Sequence, residues 1–461
     1  MKTWQDFIKL TDEKQRQQFL ITLVNDWKSG DLYTNAVEAW QYVDEENAAI
    51  NARNFFYATK VKNADGTTSD VVRKSRFRAN NKVANGMFGK LITQKTQYLL
   101  GDGIAIDDEQ KKKLGDEIDQ KTQDAGISAS IASVAWGYGY LKDGAFDVEI
   151  FLGEELIPLI DENTGETMAA VRFYELAEKR ITFYELYELD GVTKYRTGGQ
   201  TGKGLEVLAP KTTYITRQLR FPNNQTVTVG SANLGELPLI AFKNTKRGKS
   251  DFKKGLKTKL DLYDIILSDF GNNLEDAKDV YWVLQNYTGQ DIDQFLEELN
   301  AFKSIKVGQD GDAKAVTTEI PYAARDTALK ILERRIIADY MGLDMDAIKG
   351  SSLTNVAILA AYTELGFKVS EFEWGALRFV RGIIRLMQKL TGDTEDITVN
   401  DFNRRTIIND SEIIANLNAS PYLSEKTKIE RNPYSAPDEL ERIAAEGRRI
   451  IPDDDGEGDN E

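Results

Sequence analysis

Carboxylates, lysines, hydroxyls and tyrosines are the side chains left for acid–base or nucleophilic chemistry here, because the 461 residues include no histidine and no cysteine. That excludes a Ser-His-Asp or Cys-His constellation, disulfides, and Cys-based zinc or iron–sulfur sites. Gly198–Gly204 reads GGQTGKG, close to the phosphate loop G-x-x-x-x-G-K-[ST]. Its glycines are one residue too near, and Gly204 stands where Ser or Thr is needed. It also lies between strand-like runs, so a Gly-rich hairpin tip accounts for it. The pairs Glu154-Glu155 and Glu297-Glu298 would suit a metal nuclease, yet nothing in the sequence orients them. Asp453-Asp454-Asp455-Gly456 lacks the EF-hand spacing and distal Glu. Trp136, Tyr138 and Tyr140 alternate with glycines and could stack on a sugar or base. A buried core corner is the commoner fate of such aromatics.

A basic run offers a different chemistry. Lys243, Lys246, Arg247, Lys249, Lys253, Lys254, Lys257 and Lys259 face one acid, Asp251, for a net +7. Residues 261–279 then carry Asp261, Asp264, Asp269, Glu275, Asp276 and Asp279 against Lys278, a net −5. A helix with a basic start and an acidic end opposes its own macrodipole. Groups outside the helix, from neighbouring subunits or a passing polyanion, would account for this. A solvated face is the plainer alternative.

The elements that position these residues can be read from periodicity. Residues 1–60 read as mixed helix, 62–70 as a turn or hairpin loop, and 77–100 as a helix ended by Gly101-Asp102-Gly103. Residues 107–135 are helical. From Gly137 to about Ile240, short alternating runs between turn signals predict an antiparallel meander. Phe252, Leu256, Leu260, Tyr263, Leu267, Phe270 and Leu274 then recur at steps of 3 and 4. This predicts one amphipathic helix over 251–278, roughly 42 Å long. Residues 279–320 break into short strand, short helix and short strand. A second helix follows at 322–341, a loop at 343–354, and a very long helix at 355–391. Gly366, Gly375 and Gly382 in that helix mark bends or close packing. The fold class is α+β, mainly helical with an antiparallel β-rich region at 137–240. No apolar run reaches the ~18–20 residues of a membrane span. The start has no apolar signal core, so a soluble, intracellular protein is expected.

The stretches NNKVANGMFGKLITQKTQYLLGDG (80–103), AWGYGYLKDG (135–144), the run 236–279 and SSLTNVAILAAYTEL (351–365) occur in that order. Together with the succession of long helix, small insert, helix, loop and very long helix, they resemble the bacteriophage portal proteins. The branch is that of long-tailed phages of Gram-positive hosts. The resemblance covers about residues 50–450. At 350–356 similar proteins often have a Ser-Gly pair where this chain reads GSSLTNV.

The resemblance implies a homo-dodecameric ring at one capsid vertex, through which double-stranded DNA is packaged and ejected. It implies no catalytic residues, no metal and no cofactor. Residues 1–242 would be the wing, 243–278 the first stem helix, 279–320 the clip and 321–342 the second stem helix. Residues 343–354 would be the tunnel loop, 355–392 the long wing helix, 393–452 the crown and 453–461 a disordered acidic tail. Channel contacts would fall to Lys349, Ser351, Ser352, Thr354 and Asn355. A basic belt near the stem would comprise Lys246, Arg247, Lys249, Lys253, Lys254 and Lys257. Tyr281, Trp282 and Tyr287 would be clip contacts. Partners would be the terminase large subunit, a head–tail connector, and the major capsid and scaffolding proteins, with no membrane. The location would be the virion, and the host cytoplasm during assembly. A carboxylate-dependent metal nuclease and an oligomeric adaptor that binds no DNA remain as alternatives.

The net charge of −15 fits a conduit that DNA must slide through. Residues 437–461 hold ten acids against three bases, leaving −8 for the rest.

Overall fold

The computed structural model describes residues 2–62, 67–75, 79–176, 178, 181–197, 204–220, 226–276, 281–285, 312–316, 322–348, 354–406 and 408–446. The chain opens with helices α1 (Trp4–Ile8), α2 (Glu13–Lys28), α3 (Asp31–Val43) and α4 (Ala48–Asn51). Strands β1 (Phe56–Lys62) and β2 (Thr68–Lys74) pair as a hairpin around the polar stretch expected to turn. Helices α5 (Met87–Leu100), α6 (Asp108–Lys113) and α7 (Ile118–Ala132) follow.

The expected meander forms as separate antiparallel sheets. Strands β3 (Val134–Lys142) and β4 (Ala145–Phe151) belong to one of them. A five-stranded sheet follows in sequence order: β5 (Leu156–Ile160), β6 (Thr167–Leu176), β7 (Ile181–Glu188), β8 (Gly191–Thr197) and β9 (Leu205–Thr212). Strands β10 (Ile215–Arg220) and β11 (Thr226–Ala232) form a hairpin. Strand β12 (Leu239–Lys243) returns to pair with β3, giving the order β12-β3-β4. Between β8 and β9 lies the Gly-rich stretch, mostly outside the described residues. Its flanking strands pair antiparallel, the context of a hairpin tip rather than of a phosphate loop.

Helix α8 (Lys254–Asp276) comes next, then a ribbon of β13 (Tyr281–Gln285) and β14 (Asp312–Val316), then α9 (Tyr322–Tyr340). The predicted very long helix divides at Tyr362 into α10 (Asn355–Ala361) and α11 (Thr363–Thr391). Short helices α12 (Asp410–Ala419), α13 (Glu425–Glu430) and α14 (Glu439–Ala445) complete the described chain. Among the described residues no helix is long and apolar enough to cross a membrane.

The largest core is built on α11. Phe372, Phe379, Ile383 and Leu386 are buried against Phe242, Phe146 and Leu99. Each such side chain contributes about 1.5–3 kcal/mol. Two glycines set how close α11 comes to the sheet. A Cβ on Gly375 would stand 2.2 Å from the Lys243 carbonyl, and one on Gly137 would stand 2.7 Å from Phe379. A second core seats Phe7, Phe19, Leu20 and Leu23 of α1 and α2 on the five-stranded sheet. A third joins α3, α5, α8 and α9 through Tyr42, Phe88, Leu260 and Tyr340. Trp136 is buried, and Tyr138 stacks on Tyr140 and Phe151 with ring centroids 5.6 and 5.4 Å apart. The aromatic cluster is therefore a core corner.

One predicted helix is shorter than expected. Residues 79–86 are not helical, and α5 begins only at Met87. The reason lies in what their backbone amides bind.

Candidate functional site

Helices α8 and α9 form an antiparallel hairpin. Lys259 pairs with Asp339 at one end (2.5 Å), and Phe270 meets Tyr322 at the other, with ring centroids 5.6 Å apart. The ribbon β13–β14 closes the insert between them. At ~1.5 Å per residue α8 is about 34 Å long. Its buried stripe runs Leu256, Leu260, Asp264, Ser268, Asn272, every fourth residue. That stripe turns from apolar to polar halfway along. Tyr263, Leu267 and Phe270, taken from the sequence as the apolar face, are only half-buried, and Leu274 is exposed.

The polar half of the stripe holds the segment that was expected to be helix. Asn85 N–H donates to Asp264 (3.1 Å), Val83 N–H to Ser268 Oγ (3.0 Å), and Asn81 N–H to Asn272 Oδ1 (2.5 Å). Alternate residues of an extended chain repeat every ~6.6 Å. Every fourth residue of a helix repeats every ~6 Å. The two periods match closely enough for three successive rungs. Buried amides require partners, and here helix side chains supply them instead of a neighbouring strand. Asn47 also donates to Asp264 (3.0 Å). Burial pushes the Asp264 carboxyl up to about 6 against these hydrogen bonds.

The acidic half of α8 is thus answered within the subunit. Asp261 accepts from Tyr42 and Lys257, Asp269 pairs with Arg53 (2.9 Å), and Glu275 accepts from Asn81 (2.8 Å). No neighbouring subunit or polyanion is needed for those acids, which corrects that part of the sequence reading.

A buried charge cluster fixes the roots of both helices. Asp251 lies three residues before α8 and Tyr340 ends α9. Lys95 of α5 and Lys368 of α11 donate to the Asp251 carboxylate at 2.8 and 2.9 Å. Tyr340 and Asn244 add hydrogen bonds at 3.1 and 3.2 Å. Lys95 also donates to Ser130 (3.0 Å) and Asn244, and lies 4.0 Å from the Phe372 ring centroid. Burial alone would raise the Asp251 carboxyl, but the two ammonium groups hold it well below the usual carboxylate range. Burial pushes Lys95 down to about 8, so it stays protonated at neutral pH. Sequence reasoning missed this cluster. Its one visible signal was Asp251, the lone acid in a basic run.

The predicted site residues fare as follows. Of the basic belt, Lys257 is engaged by Asp261 (2.8 Å) and Glu38 (3.4 Å). Lys246, Arg247, Lys249, Lys253 and Lys254 are exposed. Among the described residues these five make no ion pair, although the Lys246 backbone N–H donates to Glu371 (2.7 Å). Lys349, Ser351 and Ser352 lie outside the described residues. The Thr354 hydroxyl caps α10 by accepting from Ala357 N–H (3.3 Å). Asn355 is tied to the C-terminal segment, accepting from Asn409 N–H (2.8 Å) and donating to its carbonyl (3.2 Å). Both side chains are therefore engaged within the chain. Tyr281 and Trp282 sit on β13 opposite Val316 and Ala315, and Tyr287 lies outside the described residues.

Glu155 faces Arg172 at 3.7 Å, and burial raises the Glu154 carboxyl. Glu297 and Glu298, like the tail 453–461, lie outside the described residues. Among the described residues no group of three or more acidic side chains could hold a metal ion.

The chain is similar to several known proteins. The portal protein of Clostridium phage phiCD119 is 26% identical over 341 residues, covering 66% of this chain and 71% of that protein. The portal protein of Bacillus phage SPP1 is 26% identical over 416 residues, covering 80% and 76%. A solved structure described as the neck of a native GTA particle computed with C12 symmetry is more distant. It has a TM-score of 0.41 and 10% identity, and it covers 75% of this chain and 88% of that one. The family described as phage portal protein, SPP1 Gp6-like, matches residues 39–453, nine-tenths of the sequence, and the chain belongs to that family of ring-forming virion proteins.

Proposed function

We propose that this portal protein assembles as a dodecamer in which α8 and α9 line the DNA channel as the stem. In this reading residues 279–320 are the clip, where the terminase large subunit and then the head–tail connector dock. Residues 343–354 are the tunnel loop, with Lys349, Ser351 and Ser352 as its DNA contacts. Residues 1–242 and 355–392 make the wing, 393–452 the crown, and 453–461 an acidic tail. Assembly takes place in the host cytoplasm with the major capsid and scaffolding proteins, and the protein itself catalyses no reaction.

The observation that carries this reading is the α8–α9 hairpin. One side of it is fixed to its own subunit by the ladder and the Asp251 cluster. The other leaves Leu262, Leu274, Tyr322 and Ile331 exposed. A helix pair of that length, anchored on one side and partly apolar on the other, is completed by neighbouring copies.

Electron microscopy of the purified full chain tests it. Rings with a central hole of about 20 Å or more, wide enough for a duplex, are expected. A monomer under all conditions would refute the proposal. Incubation with DNA and Mg²⁺ or Mn²⁺ should leave the DNA intact. Cutting that is lost in Glu154→Gln/Glu155→Gln would favour a metal nuclease instead.

A further inference from the structure

Helix α11 leaves one face uncovered. Phe367, Glu371, Trp374 and Arg378 follow one another at steps of 4, 3 and 4, and all four are exposed. Phe367 is 67% exposed and Trp374 62%, unusual values for aromatics in mid-helix. Other faces of α11 are occupied by its own subunit. They pack on β3 and β12, Arg381 of α11 donates to the Val399 carbonyl of the returning segment, and Arg404 of that segment pairs with Glu373 of α11. The uncovered face opens on a groove of about 840 Å³, whose lining adds Lys243, Lys246 and Ser370. The floor is aromatic, and the rim carries Lys243, Lys246 and Arg378 against one acid, Glu371. Among the described residues Lys243, Lys246 and Arg378 make no ion pair.

Such a groove suits a segment that brings an aromatic side chain together with carboxylates. This chain carries one. Residues 408–446 hold eight acids against four bases, a net −4. Helices α12, α13 and α14 bury no residue at all. They run 10, 6 and 7 residues, below the ~12–15 at which an isolated helix is even marginal in water. They need a surface to lie on. Tyr434 is 73% exposed and is followed by Asp438, Glu439 and Glu441.

We infer that the segment Tyr434–Glu441 of one copy seats in the Phe367–Trp374 groove of the next copy in the ring. Tyr434 lies against the aromatic floor, and Glu439 and Glu441 face Lys243, Lys246 and Arg378, while Asp438 is held by Arg442 of its own copy (2.9 Å). A closed ring needs two different, complementary faces on every subunit, and this pair supplies them. The segment is tethered to its own subunit at Asn355 and Asn409. That point is 12 residues from Phe367, across the division at Tyr362 between α10 and α11. The inference rests on the ring reading above.

The lack of native cysteine makes the test direct. The full chain carrying Arg378→Cys and Ser435→Cys is assembled, imaged, and treated with a short bis-maleimide before denaturing electrophoresis. A covalent ladder of dimers and higher multimers is expected, absent from either single variant. Intact rings that yield only monomer, linked internally or not at all, overturn the inference and leave the ring reading standing. Failure of the unsubstituted chain to form rings removes the ring reading itself, and the inference with it. As a second measurement, Glu439→Lys/Glu441→Lys should lower the assembled fraction by about tenfold at low salt. Adding Lys243→Glu/Lys246→Glu should restore it. An unchanged assembled fraction in the first variant, or no restoration in the second, overturns the inference.

Discussion

Replacing Asp251 with asparagine removes the carboxylate that two buried ammonium groups share. Lys95 and Asp251 have side chains only 2% and 5% exposed, and Lys368 12%. Breaking a buried pair by deleting one partner costs about 3–5 kcal/mol, because the other charge stays buried without compensation. Here two cations are stranded, and the new Nδ2 group points a donor at one of them. We therefore expect about 4 kcal/mol or more for Asp251→Asn. Lys95→Met should cost less, since Asp251 keeps Lys368, Tyr340 and Asn244 and the methionine packs on Phe372. The double variant should be destabilised by at least ~1 kcal/mol less than the sum of the singles.

Urea unfolding followed by tryptophan fluorescence reads all three as shifts in midpoint at constant slope. The pH dependence has a definite sign. The folded carboxyl lies below its unfolded value of about 3.9, so its contribution is fully present above that pH and lost on further acidification. The deficit of Asp251→Asn should accordingly stay constant from pH 7 to about pH 4 and narrow below it. A cost under about 1 kcal/mol, or a larger cost for Lys95→Met, would refute the argument that Asp251 neutralises the cluster.

Three further outcomes are expected. Asp264 is raised to about 6 by burial, so the stability it lends is complete below the unfolded value of about 3.9 and lost as pH rises through 6. Asp264→Asn should flatten that stretch, and an unfolding midpoint tracking the parent chain from pH 4 to about 6.5 would count against the ladder's energetics. Lys349→Ala should leave rings intact in micrographs while changing DNA packaging or retention in a packaging assay; normal packaging after deletion of 349–353 removes the tunnel-loop assignment. Truncation of 453–461 should not prevent ring formation, and loss of rings would show that the tail is structural.

Local periodicity located α8, α9, α11 and the antiparallel region because each is governed by its own spacing of apolar residues. It failed at 79–86 for an identifiable reason. Val83, Met87 and Leu91 have helical spacing, yet the amides of Asn81, Val83 and Asn85 are claimed by side chains 179–191 positions away. No local window contains that competition. The same ladder explains the misread face of α8. Asp264, Ser268 and Asn272 look like a solvated stripe, and they are the buried one because an extended segment covers them. The Gly375 and Gly382 signals were legible, since a conspicuously small residue in a long helix often marks a close approach. A Cβ on Gly382 would stand 2.6 Å from Ile240. Lys95 was not legible, because nothing adjacent in sequence distinguishes a buried lysine from the exposed ones around it.

The opposed macrodipole of α8 now divides into two parts with different remedies. Its acidic end is resolved within the subunit by Tyr42, Asn47, Arg53, Asn81 and Asn85. Its basic start is not resolved in the same way. Lys253 and Lys254 are exposed at the positive end of the helix, where each cation costs about 0.3–1 kcal/mol at low salt. The one acid in the run, Asp251, is buried and committed to Lys95 and Lys368, so it cannot screen them. Lys246, Arg247 and Lys249 extend the same uncompensated patch. An isolated subunit therefore carries an electrostatic cost at the base of α8 that no ion pair among the described residues relieves, and that an anion from outside would. A chain with net charge −15 that assembles with copies of itself brings such anions into reach by assembling. The surplus charge free for contact at the base of α8 is thus basic, even though the protein as a whole is acidic.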